Sequence, residues 1–230
     1  MTAADDALAT LRARILSGSL AAGHKLQQED LAASLGMSRI PVRDAIRSLI
    51  AEGLVVQLPH RTAVVAPLTM EDLADLYELR LAVEPLASAV AVPNVAAADV
   101  MAMRNYLAAM EDVTDHAQWL DNNDGFHAVL YRRSGRPRMI SLLDLARAQT
   151  RRYTGIRLGH EPPDLDSEHR LILKAVERRD AAVVRSLVEA HLHSGYSMVR
   201  QQLQGRSSLT RAVYGNPVSL EGGASGAGIR

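Results

Sequence analysis

Between residues 70 and 203 the apolar positions recur every three or four residues, the repeat of helices that bury one face. Breaks fall at Pro93 and Asn94, around Thr114, at Gly135 to Pro137 and at Glu161 to Asp164, dividing the stretch into five or six helices with no convincing strand. Thr69, followed by Glu71 and Asp72, has the form of a helix start: a hydroxyl cap with acids in the first turn. The pattern upstream is different. Short helical stretches between residues 5 and 53 give way to two β-rich runs, 54–58 and 63–67, separated by a turn that Pro59 opens, which predicts a hairpin. Residues 28–35 form a short helix carrying Leu31 and Leu35, Gly36 supplies a turn, and Ser38 caps a second helix running to Glu52. The last stretch, 204–230, holds six of the fifteen glycines and predicts a disordered tail. The chain therefore divides at 1–67, 68–203 and 204–230.

Composition sharpens this division. With one Phe and one Trp, the cores must be aliphatic, which suits helix packed on helix. The expected fold is mainly α: a small N-terminal unit of helix, turn, helix and hairpin, then an antiparallel all-helical bundle. No cysteine is present, so disulfides and thiolate metal sites are excluded. The first residues are acidic without an apolar leader, and no apolar run approaches the roughly 20 residues that span a bilayer. A cytoplasmic protein with no membrane partner is expected. Net charge is zero, and residues 1–67 carry seven Lys/Arg against six Asp/Glu, so bulk charge does not mark a nucleic-acid binder. Placement has to carry that argument.

In the helix from Ser38 to Glu52, Val42, Ala45, Ile46, Leu49 and Ile50 share one face, while Arg39, Arg43 and Arg47 are spaced by four on another. Pro41 is tolerated because the first turn makes no use of its missing N–H. Guanidinium groups near a helix tip can pair bidentately with guanine in the major groove, and the Ser38 hydroxyl at the helix N-terminus suits a phosphate. His60 and Arg61 in the hairpin turn would be a wing touching phosphate or the minor groove. The bland reading of the same residues is a solvated basic stripe and an exposed turn. The runs at 15–26, at 30–49 (containing Ser38-Arg39-Ile40-Pro41-Val42-Arg43) and at 52–55 resemble the winged helix of the GntR family. That resemblance implies a double-stranded DNA operator as partner and gives Ser38, Arg39 and Arg43 the contact role. Thr62 stands where the family has its wing glycine, and Ile40 where it has a small polar residue.

Farther on, the runs at 76–87, 123–127, 168–180 and 189–192 resemble the ligand-sensing FCD domain of the FadR subfamily, over residues 70 to about 203. In that domain an Asp or Asn and three His bind a divalent metal. The residues support such a site independently. His127 shares a face with Leu120, Asn123 and Leu130; His169 with Leu165, Ile172 and Val176; His191 with Val184, Leu187, Val188 and Met198. Three imidazoles on three apolar faces would converge in one core, which is costly unless they share a ligand. The oxygen donor is Asn123 or Asp124. Helical geometry turns Asp124 about 100° towards the edge of the apolar face, which favours Asn123. Such a set fits zinc, nickel or manganese. His24, His60, His116, His160 and His193 fall on loops, ends or other faces and are set aside as ligands.

The resemblance implies a pocket-facing Arg80 that clamps an organic acid; an ion pair with Glu84 four residues on is the alternative. Gln149, polar on the apolar face of a 137–158 helix, is a further effector-contacting candidate. The expected function is a homodimeric transcription regulator whose operator binding responds to a small organic acid bound at the metal. A metal-dependent helical-bundle enzyme fused to a DNA-binding domain is a second reading. It needs a base beside the metal, and no Glu or Asp stands at an obvious spacing from the three histidines. A DNA-binding protein with a metal-free core is a third.

Overall fold

The computed structural model describes residues 2–58, 62–155 and 166–214. Helix α1 (Ala3–Leu16) starts at a reciprocal capping box, in which the Thr2 hydroxyl accepts from Asp5 N–H and the Asp5 carboxylate from Thr2 N–H. Helix α2 (Gln28–Leu35) stops at Gly36, whose φ of 63° puts it in the left-handed region where an L side chain is strained. The reversal aims α3 (Arg39–Ala51) across α2. Strands β1 (Val55–Gln57) and β2 (Ala63–Val65) pair antiparallel with Val56 opposite Val64, the predicted hairpin. A first core runs from Ala7, Leu11 and Ile15 through Leu31, Ala45 and Leu49 to Leu54 and Val65.

A second core begins at Leu73 and ends at Val199. It is made by α4 (Met70–Ala91), α5 (Ala97–Asp112), α6 (His116–Arg132), α7 (Pro137–Gly155), α8 (Asp166–Glu177) and α9 (Ala181–Tyr214). Thr69 caps α4 as expected, its hydroxyl accepting from Asp72 N–H. Helix α4 lies along α9 and also packs on α6 and α7, while α5 packs on α6 and α8. Phe126, Leu130, Leu143, Tyr153, Ile172 and Val188 fill the interior. The predicted tail from 204 overlaps the end of α9, which continues to Tyr214; residues 215–230 lie outside the described residues. Among the described residues no helix is long and apolar enough to cross a membrane.

The two cores meet along α7. The side-chain amide of Gln149 donates to the carbonyl of Glu52, the C-terminal cap of α3. Arg152 donates to the carbonyl of Ala66 just after β2. Gly53 (φ 69°) approaches so closely that a Cβ there would meet Gln149 Nε2 at 2.5 Å. A polar residue on α7 thus fastens the C-terminal end of α3 to the bundle.

Candidate functional site

Each of three helices of the bundle brings one histidine to a common point. His127 (α6), His169 (α8) and His191 (α9) are buried, and one ring nitrogen of each lies within 4.8 Å of the others. His169 Nε2 is 3.2 Å from His127 Nε2 and 3.0 Å from Asn123 Oδ1. Two nitrogens bound at about 2.0–2.1 Å to one tetrahedral ion stand roughly 3.3 Å apart. The donor set therefore has the dimensions of a coordination site. Burial, then Arg147, then the other two histidines push the His127 pKa well below its ordinary value, keeping its lone pair available.

The outer nitrogens of His191 and His127 are held as ligating histidines require. His191 Nδ1 sits 2.7 Å from Glu168 Oε2, and His127 Nδ1 is 3.3 Å from the hydroxyl of Tyr131, which donates to Glu84 Oε2 at 2.6 Å. The absence of a carboxylate near the histidines, expected from spacing, is thereby corrected. Glu168 was invisible as a partner because it neighbours His169 in sequence yet serves His191 on the next helix. It faces the outer nitrogen of His191 and orients the ring.

Asn123 and Asp124 part company as helical geometry predicts. Asp124 turns onto α7, accepting from Arg147 at 2.7 Å and Arg151 at 2.8 Å. Arg80 does pair with Glu84, but the pair is buried, and Arg80 itself lines the cavity beside His191. Glu84 is fully enclosed; burial raises its pKa, yet Arg80 and Arg147 outweigh this and hold it down to about 2. The cavity, about 70 Å³, is also lined by His116, Trp119, Asn123, Arg147, Arg151 and His191. Gln149 is not among its lining residues. Its assignment to the effector is corrected: that side of α7 is buried against the N-terminal unit, while Arg147, Thr150, Arg151 and Thr154 face the cavity. The paired i, i+4 arginines and threonines on one helix were the signal overlooked.

On α3, Val42, Ala45, Ile46 and Leu49 are buried, and Arg39, Arg43 and Arg47 are exposed, as predicted. Arg39 meets Glu29 at 2.8 Å, whereas Arg43 and Arg47 reach only Asp44 at 3.8 Å. Ser38 occupies the cap position, but its hydroxyl makes no capping bond. Ile40 is 62% exposed at the helix tip. His60 and Arg61 lie outside the described residues.

Residues 3–65 match the bacterial regulatory proteins of the gntR family, and residues 75–194 match the FCD domain. The chain is a GntR-family transcription regulator with an FCD domain. It is 31% identical over 202 residues, 83% of this chain and 82% of the other, to the HTH-type transcriptional regulator BphR of Paraburkholderia xenovorans (strain LB400). A GntR-family regulator structure from Pseudomonas syringae pv. tomato DC3000 is 32% identical, with a TM-score of 0.57, covering 90% of this chain and 89% of that one. The fold is shared more closely with E. coli McbR/YncC, at a TM-score of 0.78 and 21% identity over 88% of this chain and 99% of that one. These are names of regulators, not enzymes, and the orienting position of Glu168 agrees with them.

Proposed function

We propose that this GntR-family regulator senses a small organic acid beside a divalent ion, zinc, nickel or manganese, held by Asn123, His127, His169 and His191, and that the acid controls operator binding by a cytoplasmic homodimer. The observation that carries this reading is the convergence of three buried imidazoles and an amide oxygen, of which those of His191 and Asn123 belong to residues lining a cavity that Arg80, Arg147 and Arg151 also line. A bound ion would supply a Lewis-acidic seat for a carboxylate. Arg80, Arg147 and Arg151 orient the acid's remaining oxygens. Each already has a carboxylate partner, but a guanidinium offers five donors and can serve a second anion without losing the first.

At the other end, Arg39, Arg43 and Arg47 of α3 meet the major groove, Ser38 a phosphate, and His60 and Arg61 the backbone or minor groove. A two-fold operator needs two such units, so the full chain is expected to be a dimer by light scattering at micromolar concentration. Protein purified without chelator should contain stoichiometric metal, and candidate acids should change its footprint on operator DNA. Acid-responsive footprints from protein lacking metal would overturn the metal-anchored reading in favour of a metal-free sensor core.

A further inference from the structure

Two residues lining this cavity each hold a buried polar atom with no hydrogen-bond partner among the described residues. His116 opens α6, and Trp119 follows three residues later on the same helix; both are buried and both line the cavity. His116 Nε2 lies 3.0 Å from the carbonyl of Thr154 on α7. A carbonyl only accepts, so Nε2 carries a proton, and the tautomer whose one proton sits there presents a lone pair at Nδ1. Nδ1 of His116 and Nε1–H of Trp119 make no hydrogen bond among the described residues. The rings are nearly parallel, 4° apart in plane, with centroids separated by 6.3 Å. Buried polar atoms are seldom left unpaired, and such a pair bordering a cavity points to a ligand that completes it.

We propose that His116 and Trp119 form the specificity end of the cavity and together take one hydroxyl group, so that the effector is a short hydroxy acid. This rests on the small-acid reading above. One site accepts and the other donates. A hydroxyl oxygen answers both at once, by giving its proton to Nδ1 and receiving the indole N–H. A carboxylate cannot donate, an ammonium cannot accept, and a methyl group does neither. Asn123 and His191 line the same cavity as this pair, so one small molecule reaches from the pair to the histidine cluster. A cavity of about 70 Å³ limits its length. One water occupies roughly 10–15 Å³ on this measure, which leaves space for about two to four carbons with their oxygens.

Three pairs of acids differing only in the hydroxyl test the assignment on metal-loaded, full-length protein: glycolate with acetate, lactate with propionate, and malate with succinate. Calorimetry gives the affinities. The emission of Trp119, the chain's one tryptophan, reports contact directly. In the pair that fits, the hydroxy acid is expected to bind about tenfold more tightly and to shift the Trp119 emission. His116→Phe, which keeps the ring but removes the acceptor, should bring the two members within about twofold by weakening the hydroxy acid alone. Equal affinity within every pair, with acids binding, overturns the hydroxyl assignment and leaves small-acid sensing intact. If no member of any pair binds, acid sensing fails and this proposal fails with it.

Discussion

Glu84 is held inside the bundle by Arg80, Arg147 and the hydroxyl of Tyr131. Taking one partner from a buried ion network leaves the others uncompensated, which costs about 3–5 kcal/mol. Glu84→Gln should therefore lower the unfolding free energy by about that amount in urea titrations at neutral pH. The folded-state pKa of Glu84, about 2, lies below its ordinary value of 4.5. Its ionisation therefore stabilises the fold above pH 4.5, and that contribution is lost as pH falls from there towards 2. The difference between parent and variant should narrow over that interval; a difference that widens would contradict the network. The neighbouring oxygen donors give a second residue-level test. Asn123→Asp should tighten metal binding by adding a carboxylate, whereas Asp124→Asn should leave metal affinity unchanged while loosening Arg147 and Arg151, as equilibrium dialysis would show. The reverse pattern would exchange their roles. The Asn123 and Asp124 distinction was legible in the sequence because one helix holds both, and the 100° step between successive residues settles their directions. The Glu84 network was not, because Tyr131 and Arg147 come from helices 47 and 63 residues away.

Helix α7 is the element that borders both the cavity and the N-terminal unit. Its cavity side carries Arg147, Thr150, Arg151 and Thr154, and between them Gln149 and Arg152 reach the carbonyls of Glu52 and Ala66 in the N-terminal unit. Under the proposed function, a rotation or slide of α7 that improves the arginines' hold on an acid would pull on the C-terminal end of α3. Gln149→Ala is accordingly expected to leave acid affinity unchanged in calorimetry and to reduce, by several-fold, the change in operator affinity that the acid produces in gel-shift titrations. An unaltered acid response in this variant would place the coupling elsewhere. The element also shows where periodicity stops informing. Spacing places Gln149 on the apolar face of this helix, but a polar residue facing a second unit and one facing a cavity look the same along a single strand of sequence. The three histidines escaped this ambiguity because each sits on a helix whose apolar face has only the bundle interior to point into.

At the scale of the whole molecule, the two cores are separate, one from Ala7 to Val65 and the other from Leu73 to Val199, and only the second contains the histidine cluster. A ligand bound to the folded state alone stabilises it by RT ln(1 + [L]/Kd), about 2.7 kcal/mol at a hundredfold excess over Kd. An ion shared by α6, α8 and α9 would be such a ligand, because unfolding carries its donors apart along sequence separations of 22 from His169 to His191 and 42 from His127 to His169. Chelation should lower the melting temperature of the bundle, added zinc, nickel or manganese should restore it, and His169→Ala should remove most of the difference. The winged helix has no part in the site, so a probe confined to it reports a shift only as far as the α7 contacts make the cores melt together. Calorimetry of the full chain thus measures two properties in one scan. A single transition moved by metal means that α7 couples the cores energetically, as regulation requires, whereas a metal-sensitive transition beside an insensitive one means that the contacts of Gln149 and Arg152 orient the recognition helix without stabilising it. A thermogram identical with and without metal would reduce His127, His169 and His191 to core residues and remove the ion from the sensor.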